Sequence, residues 1–330
     1  MKKILALLLA LVSLCGCAKQ EVSDTEFLLN TVSSITIYEK TNKKSSQHII
    51  EECFALCRDY ENMLSKTVKT SDISKLNNAE GKPVEVSEET AQLISLAVKY
   101  SVLSDGKFDI TVDPAADLWN FNGENPSVPS DSDIEEAAKK INYKNIEIDG
   151  KTVTLKGEGT KIDLGGIAKG YIGDKAREFL IENGVKRAII NLGGNILLIS
   201  PEDGEKTFTV GIQKPFAQQG ELYGTVKLKN GTVVTSGIYE RYFEENGKIY
   251  HHILDTSTAR PVENNLYSVT IIAENSADAD ALSTTCFALG AEKGKELIER
   301  LKNTEAVFIT NDYKCITTSG AKDKFDFTEN

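Results

Sequence analysis

The sequence predicts an α+β fold, with mixed or antiparallel sheets and packed helices, on three observations. Asp149-Gly150 and Asn230-Gly231 each separate runs that alternate apolar and polar residues, as at tight hairpin turns, and a turn at 245–248 joins residues 239–243 to 249–254. Amphipathic periodicity marks long helices over residues 47–64, 88–103, 167–183 and 277–289. These helices are mixed with hairpins and do not follow the strict strand–helix alternation of a doubly wound parallel sheet. The chain shows no internal repeat and no low-complexity tract.

At the N-terminus, MKKILALLLALVSLCGCAKQ carries two lysines, an apolar run from Ile4 to Leu14, and Leu14-Cys15-Gly16-Cys17. The run is too short for a stable bilayer anchor and reads as a lipoprotein signal peptide over residues 1–16. The Leu-Cys-Gly-Cys stretch resembles a lipobox, which makes Cys17 the expected lipidation site; a plain signal cleaved elsewhere is the alternative. Residues 17–25 are then a polar tether and 26–330 the folded domain. Acyl chains on Cys17 imply an extracytoplasmic protein held on the cell membrane. Cleavage removes Lys2 and Lys3 and no acid, so the formal charge goes from −11 to about −13. Such a balance argues against nucleic-acid binding and against a polybasic lipid surface. The 40% hydrophobic content can fill a large core, as one domain or as two interleaved lobes.

Further along, residues 30–38 alternate as a strand. Helix 47–64 places Ile49, Cys53, Leu56, Cys57, Tyr60 and Leu64 on its apolar face, so Cys53 and Cys57 read as small core hydrophobes. With Cys286 and Cys315 they have neither metal-site spacing nor the number for a disulfide framework, although a Cys286–Cys315 bridge is compatible with the sequence. Ser87 is the expected cap of helix 88–103. Residues 120–133, rich in Asn, Pro, Ser and Gly, read as a loop or lobe junction, followed by a short helix at 134–141. A last helix is expected at 292–302.

Chemistry concentrates in a few segments. In KIDLGGIAKGY (residues 161–171), an alternating strand meets Gly165-Gly166 and a helix that runs from Ile167 to Asn183, with Gly184 as its stop. The first-turn amides lack helical partners, and a lysine there opposes the dipole unless an anion lies between, so Lys169 and these amides read as a phosphate cradle. A glycine-rich loop with a solvated lysine is the competing reading. Asp280 and Thr284 share a helix face and offer hard oxygens of the kind Mg²⁺ takes, against the alternative of a solvated face. Asp109 and Asp113 fall on one side of an expected extended run at 106–119, and NLGGN (191–195) places two glycines between apolar strands. Of the three histidines, His251 and His252 are adjacent on an expected strand, so only one can enter a given site.

Together these segments resemble the FAD:protein FMN transferases, also called ApbE-type flavin transferases, from about Phe27 to the last expected helix. The motifs, in family order, are SDISKLN (71–77), GKFDITVDP, DLGGIAKGY, NLGGN, TSGIYER (235–241), YHHILD and ADALST (279–284). The resemblance implies an ApbE-like (T-fold-like) architecture. It also implies Mg²⁺-dependent transfer of the FMN half of FAD to a threonine or serine hydroxyl of an acceptor protein, with release of AMP. By the same resemblance, Gly166 (through its carbonyl), Asp280 and Thr284 would bind Mg²⁺. Phe108, Asp109, Asp163, Lys169 and Ile253 would contact FAD, and His252 would be catalytic. The sequence leaves open whether His252 or a carboxylate is the base. Implied partners are acceptor flavin subunits of membrane redox complexes of the Rnf or Nqr type. Alternatives are an FAD pyrophosphatase giving FMN and AMP, and a non-enzymatic flavin-binding lipoprotein. Two stretches depart from the family pattern: Leu29-Asn30-Thr31 stands for the usual Met-Gly-Thr, and residues 255–261 lack the usual Pro and Gly.

Overall fold

The computed structural model describes residues 21–39, 41, 44–121, 123–201 and 206–330, so the expected signal peptide and Cys17 lie outside the described residues. An antiparallel sheet of eight strands forms the centre. Its order is Val22–Leu28, Thr31–Ile37, Ala188–Leu192, Asn195–Ile199, Gly231–Gly237, Leu266–Ala273, Glu305–Thr310 and Cys315–Thr317. The inner strands read as continuous apolar runs because both faces are covered. Val234, Ile271 and Phe308 point to a helical layer. Their neighbours Val233, Ile272 and Val307 point to a second sheet built from Phe208–Gln213, Leu222–Leu228 and Thr328–Glu329. Helices Ser46–Leu64, Glu88–Leu103, Ala168–Glu182, Ser276–Leu289 and Ala291–Glu299 make up the layer on the first face. None of the helices among the described residues is long and apolar enough to cross a membrane.

Most expected helices are present. Ser87 caps Glu88–Leu103 by accepting from the Thr90 N–H, and Cys53 and Cys57 are fully buried core residues. Cys286 and Cys315 are free thiols, so the bridge compatible with the sequence does not form.

Several expectations are corrected. Residues 22–25, expected in the tether, belong to the edge strand Val22–Leu28, which pairs with Thr31–Ile37 through a turn in which Leu29 and Asn30 both adopt positive φ. Asn230-Gly231 is not a hairpin: the strands it joins belong to different sheets, and the Asn230 side chain instead accepts from the Ser200 N–H at 2.6 Å. Residues 106–119 are not extended, because Asp109 caps a 3-10 turn at Ile110–Val112 and Pro114 then starts the helix Asp113–Trp119. The following helix is Asp131–Ala138, and strands lie in the central sheet on both sides of the 120–130 loop. Finally, residues 161–164 form no strand. Ile162 exchanges two 2.8 Å hydrogen bonds with the side-chain amide of Asn77, which replaces a neighbouring strand.

A satellite cluster surrounds Trp119, with its indole N–H donating to the Ala259 carbonyl at 2.7 Å and its ring stacked on Phe121 and Tyr250. This cluster fastens the 242–261 segment, with both histidines, to the body of the protein.

Candidate active site

Two crossed helices make one wall of a cleft. Gly170 in the first turn of Ala168–Glu182 has no side chain because its Cβ would strike the Ser276 carbonyl of Ser276–Leu289. That close approach lets the Gly170 N–H donate to Asp280 Oδ2 at 2.9 Å. Asp174, one turn on, accepts from the Ser276 and Ala277 N–H groups at 2.9 Å each and so caps the second helix, for which Asn275 makes no side-chain cap. The amide expected to await a phosphate at Gly170 is therefore already bonded to Asp280. Gly165 donates to Asp163 Oδ1 at 2.7 Å, and Ile167 and Ala168 donate to the Leu164 carbonyl at 3.0 and 2.8 Å, which leaves the Gly166 and Lys169 amides for a ligand.

Asp280 is buried, contrary to the solvated-face alternative, and burial raises its pKa against the pull of Lys169, the Gly170 N–H and Arg241. Asn195 lies against it and favours its charged form, although the Asn195 amide atoms complete no hydrogen bond of normal geometry. Thr284 is one turn away, with its hydroxyl 3.3 Å from the Ser236 hydroxyl, and a Cβ on Gly166 would lie 3.8 Å from Thr284 Oγ1 and 3.1 Å from Phe108 Cε2. The Gly166 backbone thus passes closely beside Thr284. A buried carboxylate without an ion pair to any described cation, a hydroxyl and a nearby backbone carbonyl form a hard-oxygen set that fits Mg²⁺.

The segment from Gly237 to Ile253 makes the opposite wall. His251 points into the core, bonding the Val262 carbonyl through Nε2 at 3.1 Å and meeting Phe287 edge-on; burial pushes its pKa down to about 4. His252 faces the other way. Its N–H donates to the Arg241 carbonyl at 3.1 Å, and its Nδ1 lies 3.2 Å from the same oxygen. Since a carbonyl only accepts, Nδ1 carries the proton and Nε2 keeps a free lone pair. Burial, then the Arg241 charge, holds the His252 pKa well below the ordinary imidazole value.

Lys169 is close enough to act on Asp280, Glu240 and His252, yet forms no ion pair with a described residue. Glu240 is exposed to solvent, yet desolvation by the protein around it raises its pKa, and a Cβ on Gly194 would lie 3.9 Å from its Oε1. Of the other expected residues, Phe108 is buried beside Gly166, Ile253 is buried in the core next to His252 in sequence, and Asp163 is at the Gly165 turn. Asp109 is turned to internal duty: it accepts from the Thr111 N–H, the Thr111 hydroxyl and the Tyr143 N–H at 2.7–2.8 Å. Sequence reasoning missed Asp174, Asn195, Ser236, Glu240 and Arg241. The last three stand in TSGIYER, a signal seen without assigned roles, whereas nothing in the sequence links Asp174 to the helix end it caps. A concavity elsewhere, near Leu289–Lys295, gathers none of this chemistry.

The ApbE family profile matches residues 29–308. An FAD:protein FMN transferase of Klebsiella pneumoniae is 38% identical over 82% of this chain and 85% of its own length. One from Treponema pallidum is 31% identical over 97% and 94%. Among solved structures, the chain is similar to the ApbE protein of Thermotoga maritima (TM-score 0.84, 35% identity, covering 92% of this chain and 98% of that one). It is also similar to the flavin transferase ApbE of Vibrio cholerae (TM-score 0.83, 25% identity, 92% and 99%).

Proposed function

Because the chain belongs to the ApbE family, we propose that it transfers the FMN half of FAD to a threonine or serine hydroxyl of an acceptor protein, releasing AMP, with Mg²⁺ required. One observation carries this reading: Lys169 and Arg241 act on both Asp280 and His252, so the oxygen set and the histidine line a single cleft. Asp280, Thr284 and the Gly166 carbonyl would hold Mg²⁺, whose charge, when bound, would offset that of the pyrophosphate. Lys169 and the Gly166 amide bind and orient the phosphates.

His252 accepts the proton of the acceptor hydroxyl at Nε2 as the new O–P bond forms to the FMN phosphorus and the pyrophosphate bridge breaks toward AMP. Its depressed pKa keeps the imidazole neutral and ready to accept a proton at neutral pH. Arg241, through its carbonyl, fixes the tautomer. The proposal extends to an extracytoplasmic protein lipidated at Cys17, acting on acceptor flavin subunits of membrane redox complexes. Incubating the protein with FAD, Mg²⁺ and such a subunit tests it. Covalent flavin fluorescence on the denatured acceptor, with AMP released in equal amount, is expected; free FMN and AMP with an unlabelled acceptor would instead show a pyrophosphatase.

A further inference from the structure

The turn that carries Asp163, Gly165 and Gly166 is held from below by a lysine outside every motif noted above. Lys66 directly follows Ser65, the cap that ends helix Ser46–Leu64. Its ammonium contacts Asp113 and lies 2.7 Å from Asp117 and 3.1 Å from Asp163 Oδ2. The other Asp163 oxygen accepts from the Gly165 N–H at 2.7 Å. A continuous path therefore runs from helix Asp113–Trp119 through Lys66 and Asp163 to the backbone beside Thr284. No strand supports this segment: its other ties are the Asn77 amide on Ile162, the Asp163 N–H on the Ile110 carbonyl at 2.8 Å, and the Leu164 carbonyl, which accepts from the Ile167 and Ala168 N–H groups at 3.0 and 2.8 Å.

Charge makes the contact consequential. Asp113 is buried, Asp117 is mostly exposed, and Lys66 is the cation that all three carboxylates share. Burial works against the Lys66 charge, yet Asp163 and Asp113 outweigh it and raise its pKa. Without Lys66, Asp163 would face Asp113 with no intervening positive charge and would turn toward water, releasing the Gly165 N–H.

We propose that Lys66 is a positioning residue for the ligand-binding turn, setting the Gly165-Gly166 backbone through Asp163. It touches neither substrate nor metal, and its link to catalysis rests on the FAD reading above, so the test separates the two. Hydrogen exchange over residues 163–168 is followed in ligand-free protein, and FAD affinity is measured in parallel by flavin fluorescence. Lys66→Met combined with Asp113→Asn removes the shared cation and the buried anion together, which keeps the fold free of an unpaired buried charge. Faster exchange confined to 163–168 and an FAD Kd raised about tenfold or more are expected. Lys66→Arg should restore most of both, and Asp117→Asn should change neither. Unchanged exchange in the double variant, or faster exchange with the parent's FAD affinity, overturns the proposal. A parent that does not bind FAD contradicts the substrate reading instead, and the exchange result still decides the role of Lys66 in holding the turn.

Discussion

The two walls of the cleft use polar residues in opposite ways. On the helical wall, Asp280 and Asp174 are bound to backbone N–H groups, and Gly170 exists to let two helices meet closely enough for the first of these bonds. On the facing wall, Glu240 and the Nε2 of His252 have charged neighbours and no direct partner among the described residues, as does Lys169 at the lip of the helical wall. A carboxylate fixed by backbone bonds is a stationary ligand, costly to move. Groups left without partners in a concave, desolvated space are available to a ligand or a transferring proton. The difference separates holding from reacting, and substitutions on each side should fail differently.

The largest effect is expected at Asp280. Asp280→Ala removes the only charged oxygen of the proposed metal set, and transfer measured at ordinary Mg²⁺ should fall by about a thousandfold or more, with excess Mg²⁺ recovering part of it. His252→Ala comes next, with a single-turnover loss of roughly two to four orders of magnitude and FAD affinity retained. In the parent, the acid limb of the rate profile should lie below pH 6.5, because a lowered pKa keeps His252 neutral further into acid. Lys169→Ala should weaken FAD binding by about ten- to a hundredfold, read by fluorescence titration, without a large change in thermal stability; equal affinity would make this lysine a solvated bystander.

His251 sharpens the comparison through stability alone. Its pKa is about 4 when folded and 6.5 ordinarily, so above pH 6.5 both states are neutral. Between pH 6.5 and 4 the unfolded chain takes up a proton that the folded chain refuses, and stability is lost as pH falls, by up to about 3 kcal/mol. Urea unfolding of His251→Phe should show a smaller loss across that window, with transfer little changed. A large transfer defect in this variant, with His252→Ala active, would mean that the two histidines have exchanged places.

How much of this was readable in advance varies with the range of the interaction. Helix 88–103, the NLGGN turn and the opposed directions of the two histidines follow from local periodicity, caps and alternation and appear as expected. His252, however, lies just past the strand Lys248–His251, and the helix expected over 277–289 starts at Ser276. Failures came where a distant side chain took over a backbone group. Asn77 satisfies Ile162 and so abolishes a strand, and the Asn230 turn changes sheets where its pattern promised a hairpin. Asp280 claims the Gly170 amide that the sequence left for a phosphate. Glu240 and Arg241 were visible as residues but not as cleft groups, because their position depends on the Trp119 cluster that fastens the segment following them.

The division between the walls is tested most directly by measuring FAD affinity and single-turnover transfer together across a Mg²⁺ titration, for the parent, Asp280→Ala and His252→Ala. Asp280→Ala should move the Mg²⁺ midpoint of both binding and transfer to higher concentration. His252→Ala should keep the parent midpoint and affinity and lose only rate. If both variants shift the Mg²⁺ midpoint alike, or Asp280→Ala leaves it where the parent has it, the cleft does not divide holding from reacting in this way.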